Sequence, residues 1–409
     1  MTNDNQSNNN GHNDGIKPNE IEATGIPPTR SIWWTGSIDG TGILHLLDQR
    51  NIPHSITIKQ HTTVHEIIES IKSMLVRGAP AIGAAGAYAM AIACINTHAN
   101  NTQQLLHELQ QAKQLIDSSR PTAVNLMWAT SRILSLAQLM SDKHISDIQR
   151  YKSTLLHEAI ELANDDVRIN KSLAEYGNTL VKSLHNNNET NSVINILHHC
   201  NTGKLATVDW GTALGVIYTA HESNKNIHVY VDETRPRLQG AKLTTYELQQ
   251  ANIPYHLIPD SASGILMYNN KIDVILYGAD RTVLNGDTAN KVGTHNISVL
   301  GHEYNIPVYA CVPTSTIDLT ISDGRLIDIE ERNSNEVTHI NDVQIAPDNC
   351  PVYNPSFDVT PNKYISAIIT EEGICYPPYT VSLTKAKQQA EQRIKQTWEH
   401  RLKQYGVLQ

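Results

Sequence analysis

The chain has 409 residues and a mass of 45.4 kDa, enough for two or three domains of about 150 residues and for a large core that needs no disulfide or metal to fold. Lys and Arg number 32 against 41 Asp and Glu, a formal charge of −9 with a pI near 6.1, which argues against a protein whose main work is coating nucleic acid or an anionic membrane. Hydrophobic residues make up 40% of the chain, so disorder over its whole length is excluded.

Residues 1–27 are rich in Asn, Gly and Asp and poor in large apolar side chains, and are expected to form a disordered tail. The fold is expected to begin near Ser31-Ile32-Trp33-Trp34, with extended stretches at Gly42–Leu47 and Ser55–Lys59. From Thr63 to Leu184 the period becomes helical. Val64, Ile67, Ile68, Ile71, Met74 and Leu75 recur every three to four positions, Gly78-Ala79-Pro80 ends that helix, and Pro80 suits the first turn of the next. Gly78–Ile95 is uncharged over nearly a bilayer's span, but its Ala and Gly favour close packing in a soluble core over lipid. Pro121 marks another helix start, and Ile145–Asn164 and Asp165–Leu184 read as two further amphipathic helices.

The polar run His185–Glu189 separates this half from a different pattern. Short apolar runs at Val193–Leu197, Ile227–Val231, Tyr255–Ile258, Ile272–Tyr277 and Ile306–Val312 alternate with helix-length segments at Thr212–His221, Ala241–Gln250, Ala262–Met267 and Ala289–Glu303. That alternation predicts a mostly parallel sheet covered by helices, with right-handed crossovers. Thr384–Tyr405 reads as an exposed helix, or one packed through Ile394, Trp398 and Leu402. The expected organisation is an α/β protein: the tail at 1–27, a mainly helical N-terminal domain over 28–185, a domain with a mostly parallel sheet over 190–380, and a helical extension over 381–409.

The opening MTNDNQSNNNGHND has neither the basic nor the apolar segment of a secretory leader, and the five cysteines are odd in number with no CxxC spacing. Both point to a reducing cytoplasm.

Strand ends of one polarity open onto one edge of a parallel sheet, where ligands bind. Cys200 in ILHHCNTG and Asp280 in ILYGADR both follow strands, so a thiol and a carboxyl can face one pocket as an acid/base pair. Taken singly, each has a plainer reading, as core filler or as a helix cap. Arg77-Gly78-Ala79-Pro80 sets a guanidinium and bare N–H groups before a helix, an arrangement that suits phosphate, and Arg120-Pro121-Thr122 repeats it. Asn290-Lys291 and the run Glu233–Gly240, which contains Gln239, are further candidates beside strand ends; the plainer reading of each cation is a solvated surface charge. His198, His199 and Cys200 are adjacent, but a strand sends neighbours to opposite faces and no second spaced pair exists, so no metal site is expected. GxGxxG, GxxxxGK[ST] and GxSxG are all absent.

Read together, LLDQRNIP, MLVRGAPAIGAAGAYAM, RPTAVNLMWA, HHCNTGKLATVDWGTALGVI, ETRPRLQGAKLTTYEL, YGADRTVLNGDTANKVGT, VPTSTID, IEERNSNEV and NPSFDVTP resemble the methylthioribose-1-phosphate isomerase family, aldose–ketose isomerases related to the α, β and δ subunits of translation initiation factor 2B. The resemblance runs from about Ile32 to Glu371. It implies a helical N-terminal domain followed by a Rossmann-like C-terminal domain, usually in a homodimer, with no metal or organic cofactor. It implies conversion of 5-methylthioribose 1-phosphate to 5-methylthioribulose 1-phosphate, with Asp280 as proton donor and Cys200 as catalytic cysteine. Substrate contacts fall by the same matching on Arg77, Gly78, Ala79, Arg120, Gln239, Asn290 and Lys291. The partner is thus a small phosphorylated sugar rather than nucleic acid or membrane. Ribose-1,5-bisphosphate isomerases, activity on 5-deoxyribose 1-phosphate, and non-catalytic regulatory subunits are the alternatives; Cys200 with Asp280 argues against the last. The tail, the charged stretch beyond Tyr379 and the polar end of IEERNSNEV, expected on a loop, depart from the family pattern.

Overall fold

The computed structural model describes residues 29–39, 41–120, 124–184, 192–223 and 226–408. The expected tail at 1–27, the start at Pro121-Thr122 and the break at His185–Glu189 lie outside them.

The chain enters through β1 (Ile32–Gly36), β2 (Gly42–Asp48) and β3 (Thr57–His61), an antiparallel sheet in order β1-β2-β3. Five helices follow: α1 (Val64–Lys72), α2 (Ala79–Ile95), α3 (Thr102–Ser118), α4 (Val124–Asp142) and α5 (Ile148–Ser183). Thr63 and Glu66 close a capping box at the start of α1, whose Ile67, Ile68 and Ile71 are buried. The uncharged α2 is buried on nearly every side. A Cβ on Gly86 would stand 2.5 Å from Leu126 Cδ1 of α4, so the small residues serve close helix packing, and no helix among the described residues is long and apolar enough to cross a membrane.

α5 corrects the expectation of two helices meeting at Asn164 and Asp165. The triplet Asn164-Asp165-Asp166 contains no Gly or Pro, and its polar groups find tertiary partners instead of breaking the helix: Asn164 accepts from Arg30, Asp165 pairs with Arg168 and Arg401, and Asp166 accepts from the Val208 N–H at 2.7 Å.

The second half runs β4 (Ile194–His198), α6 (Ala213–Glu222), β5 (Ile227–Asp232), α7 (Thr245–Gln250), β6 (Tyr255–Ile258), α8 (Ser263–Tyr268) and β7 (Val274–Tyr277). Then come β8 (Arg281–Val283), β9 (Thr288–Lys291), α9 (Thr294–Glu303), β10 (Val308–Cys311), β11 (Ile317–Asp318), α10 (Asn335–Thr338), β12 (His339–Ile340), β13 (Val343–Gln344), β14 (Phe357–Thr360), β15 (Ala367–Thr370), β16 (Gly373–Cys375) and α11 (Tyr379–Gln404). The main sheet has seven strands in order β16-β15-β10-β7-β4-β5-β6, parallel except at the β15–β16 edge. Alternate residues feed two cores: Val274 and Leu276 pack with α5, α6 and α7, whereas Ile275 and Tyr277 pack with α8, α9 and α11.

Two further expectations are corrected. The helix expected over Ala289–Glu303 begins at Thr294, because Ala289–Lys291 pairs with β8 and β14 as a strand. The C-terminal helix starts at Tyr379 rather than Thr384, since Tyr379 and Leu383 insert into the core and the Tyr379 hydroxyl donates to the Ile365 carbonyl at 2.8 Å. Its far end is held by Leu402 and by Trp398, over which Arg132 stacks at 3.4 Å.

Candidate active site

β4 ends at His198, and two residues later Cys200 adopts φ 68°. That uncommon conformation is held from both sides: the Cys200 N–H donates to Thr234 Oγ1 at 2.9 Å, and its carbonyl accepts from Thr244 Oγ1 at 2.6 Å. Burial pushes the thiol pKa up, while Arg77 and Lys291 pull the other way.

Asp280 follows β7 and is fixed by its own N–H, which donates to the Ala289 carbonyl of β9 at 2.9 Å. Its side chain is exposed to the space of a cavity of about 210 Å³ that sinks below the surface. Enclosure by protein raises its pKa, and Lys291, Arg77, Arg120 and Arg332 oppose the rise.

The same cavity is lined by Arg77, Gly78, Ala79, Arg120, Cys200, Gln239, Asn290 and Lys291, so one concavity collects every residue singled out from the sequence. Gly78 caps α2 at φ 89°, and a Cβ there would stand 2.1 Å from the Ala206 carbonyl oxygen, so only glycine lets the helix start approach the loop after β4. Arg77 is half-buried and grips Asn201, whose amide in turn donates to Glu247 Oε1 at 2.7 Å. Asn290 and Lys291, expected on a loop or helix start, stand on β9. Asn290 donates to Thr294 Oγ1 at 2.9 Å, and Lys291 Nζ donates to the Ser356 carbonyl at 2.6 Å. Gln239 is buried, and its Oε1 has no hydrogen-bond partner among the described residues. A groove of about 740 Å³ between α4, α5 and α11 opens beside the cavity and shares Pro80, Val124, Asn125 and Asp280 with it.

Two features escaped the sequence reading. Arg332, in IEERNSNEV, lines the cavity, and the loop expected there carries the helix α10. Behind Cys200, His199 Nδ1 lies 2.8 Å from Asp232 Oδ2 and its Nε2 lies 3.0 Å from the Val292 carbonyl. A carbonyl only accepts, so Nε2 carries hydrogen, and the short contact with Asp232 needs a second proton. Burial alone would lower the His199 pKa, but Asp232 outweighs it and raises it; the Asp232 pKa is itself pushed up to about 6 by burial. His199, Asp232 and Asp260 offer ligand atoms within 4.8 Å of one another. Most of these atoms are already committed: both His199 nitrogens are engaged and Asp260 accepts the N–H groups of Thr234 and Arg235, both at 2.7 Å, so a cation would have to displace those bonds. Asp232 Oδ1 is the one carboxyl oxygen of the group without a partner among the described residues.

The Initiation factor 2 subunit family pattern matches residues 75–377. Methylthioribose-1-phosphate isomerase of Acetivibrio thermocellus is 50% identical over 344 residues, covering 84% of this chain and 97% of that protein. The enzyme of the same name from Desulfitobacterium hafniense strain DCB-2 is 46% identical over 343 residues, covering 84% and 96%. Among solved structures, 5-methylthioribose 1-phosphate isomerase from Pyrococcus horikoshii superposes with a TM-score of 0.80 at 36% identity over 91% of this chain and 98% of that one. A chain described as subunit delta of translation initiation factor eIF-2B from A. fulgidus superposes with a TM-score of 0.76 at 40% identity, over 88% and 100%.

Proposed function

The chain belongs to the Initiation factor 2 subunit family and groups there with the methylthioribose-1-phosphate isomerases, and on that premise we propose that it isomerises 5-methylthioribose 1-phosphate to 5-methylthioribulose 1-phosphate in methionine salvage. The observation that carries this reading is the meeting of Cys200 and Asp280 in one cavity with a helix start and several cations. A binding subunit has no use for an acid and a thiol held so deliberately, which disfavours the regulatory-subunit alternative.

The substrate is a cyclic aldose whose anomeric oxygen carries phosphate, so the ring cannot open to a free aldehyde. In the reaction we assign, the Asp280 carboxylic acid protonates the ring oxygen as the C1–O bond breaks and its electron pair passes to oxygen. A hydride, carrying the C2–H electron pair, moves from C2 to the electron-deficient C1, and the C2 hydroxyl proton returns to the Asp280 carboxylate as its O–H pair forms the ketone at C2, regenerating the acid. The raised Asp280 pKa suits the first step. Burial of Cys200 favours a neutral thiol at rest, which supports direct passage of the hydride over abstraction by a thiolate and gives the thiol the role of stabilising the transition state. Arg77, Arg120 and Lys291, with the N–H groups of Gly78 and Ala79 and the amides of Asn290 and Gln239, hold the phosphate and sugar. The adjoining groove, with Val124 and Trp128 in its wall, leaves room for the end of the sugar remote from phosphate.

This reading includes a helical N-terminal domain on a Rossmann-like C-terminal domain, a homodimer and a cytoplasmic site of action. The helical run α1–α5 before the parallel sheet supports the first; the homodimer rests on the family resemblance, and sedimentation of the purified protein decides it. Five free cysteines fit a reducing compartment. The assay for the reaction is ketose formation from methylthioribose 1-phosphate, with Asp280→Asn as the blank.

A further inference from the structure

We propose that Arg332 is a further phosphate-binding residue of this site, delivered by the segment between β11 and β14. The inference rests on the isomerase reading for the identity of the ligand, but on separate geometry for the residue.

The backbone places Arg332 there. β14 pairs with β9 so that Phe357 lies opposite Lys291. Just before β14, the Ser356 N–H donates to the Glu330 carbonyl at 2.8 Å, and the Arg332 N–H donates to the Asn354 carbonyl at 2.9 Å. Lys291 Nζ donates to that same Ser356. Residues 330–332 thus lie as an added extended run beside the strand that fixes Lys291, and Arg332 reaches the cavity wall. The segment is clamped to the loop after β5, where Arg235 donates to the Val337 carbonyl at 2.8 Å and Arg237 pairs with Glu336 at 2.7 Å.

The guanidinium is under-satisfied for its burial. Its side chain is 12% exposed, yet it makes only one hydrogen bond to a carboxylate, a long one to Glu330 at 3.3 Å, while Glu336, already engaged by Arg237, lies at 3.9 Å. Its other contact is Met74 Sδ at 3.9 Å, and Nε has no hydrogen-bond partner among the described residues. A buried cation with an unused donor is costly unless something anionic completes it. By contrast, Arg77 is already tied to Asn201 by two bonds. Around the cavity, cationic side chains outnumber carboxylates six to three, in a chain whose net charge is −9. Arg332 is also close enough to Asp280, Lys291 and Arg120 to affect the protonation of each. A dianionic phosphate is the ligand that relieves this crowding of cations.

The test is titration of inorganic phosphate into the wild type, Arg332→Gln, Arg332→Lys and the surface control Arg325→Gln, with kcat and KM for methylthioribose 1-phosphate measured alongside. Loss of a charge-assisted bond predicts phosphate binding about 10- to 100-fold weaker in Arg332→Gln, partial recovery in Arg332→Lys, and no change in Arg325→Gln. The loss should fall mainly on KM. Equal phosphate affinity in the wild type and Arg332→Gln overturns the proposal, as does an altered pH profile with phosphate affinity intact, which would make Arg332 only a partner of Asp280. Should Arg332→Gln not fold, Arg332→Lys keeps the buried charge, and unaltered phosphate affinity in that variant also counts against a guanidinium contact. A wild type that binds phosphate through Arg332 but makes no ketose leaves the residue assigned and defeats the isomerase reading; the reverse pattern defeats Arg332 alone.

Discussion

Arg77 holds Asn201 by two bonds from one guanidinium, to the side-chain oxygen at 2.7 Å and to the main-chain oxygen at 3.2 Å. The residue expected to bind phosphate therefore also locks the position after Cys200, and through Asn201 it reaches the buried Glu247. Arg77→Ala should weaken binding of the ketose phosphate product by about 10- to 150-fold, the worth of a charge-assisted bond. Arg77→Lys should recover only part, because an ammonium lacks the planar fork whose two nitrogens make these bonds. Calorimetric titration of product into the three proteins checks this, and equal affinities would remove Arg77 from the phosphate site.

Asp280→Asn and Cys200→Ala should each lower turnover by about 10²-fold or more while circular-dichroism melting curves stay within a few degrees of the wild type. Because the Asp280 pKa is raised and its acid form is the working one, kcat should fall as pH rises through that raised value. A profile that stays flat across the alkaline range would speak against an acid role.

The path of the transferred hydrogen is separable by isotope. With Cys200 held neutral by burial, ketose formed in D2O should carry little deuterium at C1. Near-complete incorporation would instead make the Cys200 sulfur the carrier.

The His199–Asp232 pair predicts a stability profile. Its folded-state pKa values are raised, His199 above 6.5 and Asp232 to about 6, so folding takes up a proton. For His199 the contribution is fully present below about 6.5 and is lost as pH rises through the folded value. Denaturant midpoints should fall from neutral to alkaline pH in the wild type and fall less in His199→Asn. The same slope in both proteins would show that the pair holds no extra proton.

At the end of α11, Arg401 is 5% exposed and faces Glu158 at 3.6 Å, Glu161 at 3.0 Å and Asp165 at 2.8 Å. Arg401→Met leaves the buried Glu158 with Arg132 as its one remaining cation and the part-exposed Glu161 and Asp165 with Arg168, and should cost up to about 3 kcal/mol by chemical denaturation. A loss below about 1 kcal/mol would mean that α11 is not anchored there.

The parallel sheet was legible because its strands are apolar runs such as Val274–Tyr277, buried on both faces. The small sheet beneath the site was not. Thr288–Lys291 is four polar or small residues that form a strand only because β8 and β14 flank it, a tertiary cause invisible to periodicity. Strand-end position pointed to Cys200 and Asp280, but nothing local announced the positive φ of Cys200. Arg332 was hidden by its setting, a polar stretch that reads as solvated loop until its pairing with Asn354–Ser356 is known; a cation following two glutamates in IEER was the one available hint.

The most direct measurement is to incubate the purified protein separately with methylthioribose 1-phosphate, ribose 1,5-bisphosphate and 5-deoxyribose 1-phosphate, and to follow ketose formation. Methylthioribose 1-phosphate should be isomerised with the highest kcat/KM, and Asp280→Asn should lower that turnover by about 10²-fold or more. Absence of ketose from methylthioribose 1-phosphate with a folded wild-type protein, or clear preference for the bisphosphate, would contradict the isomerase reading.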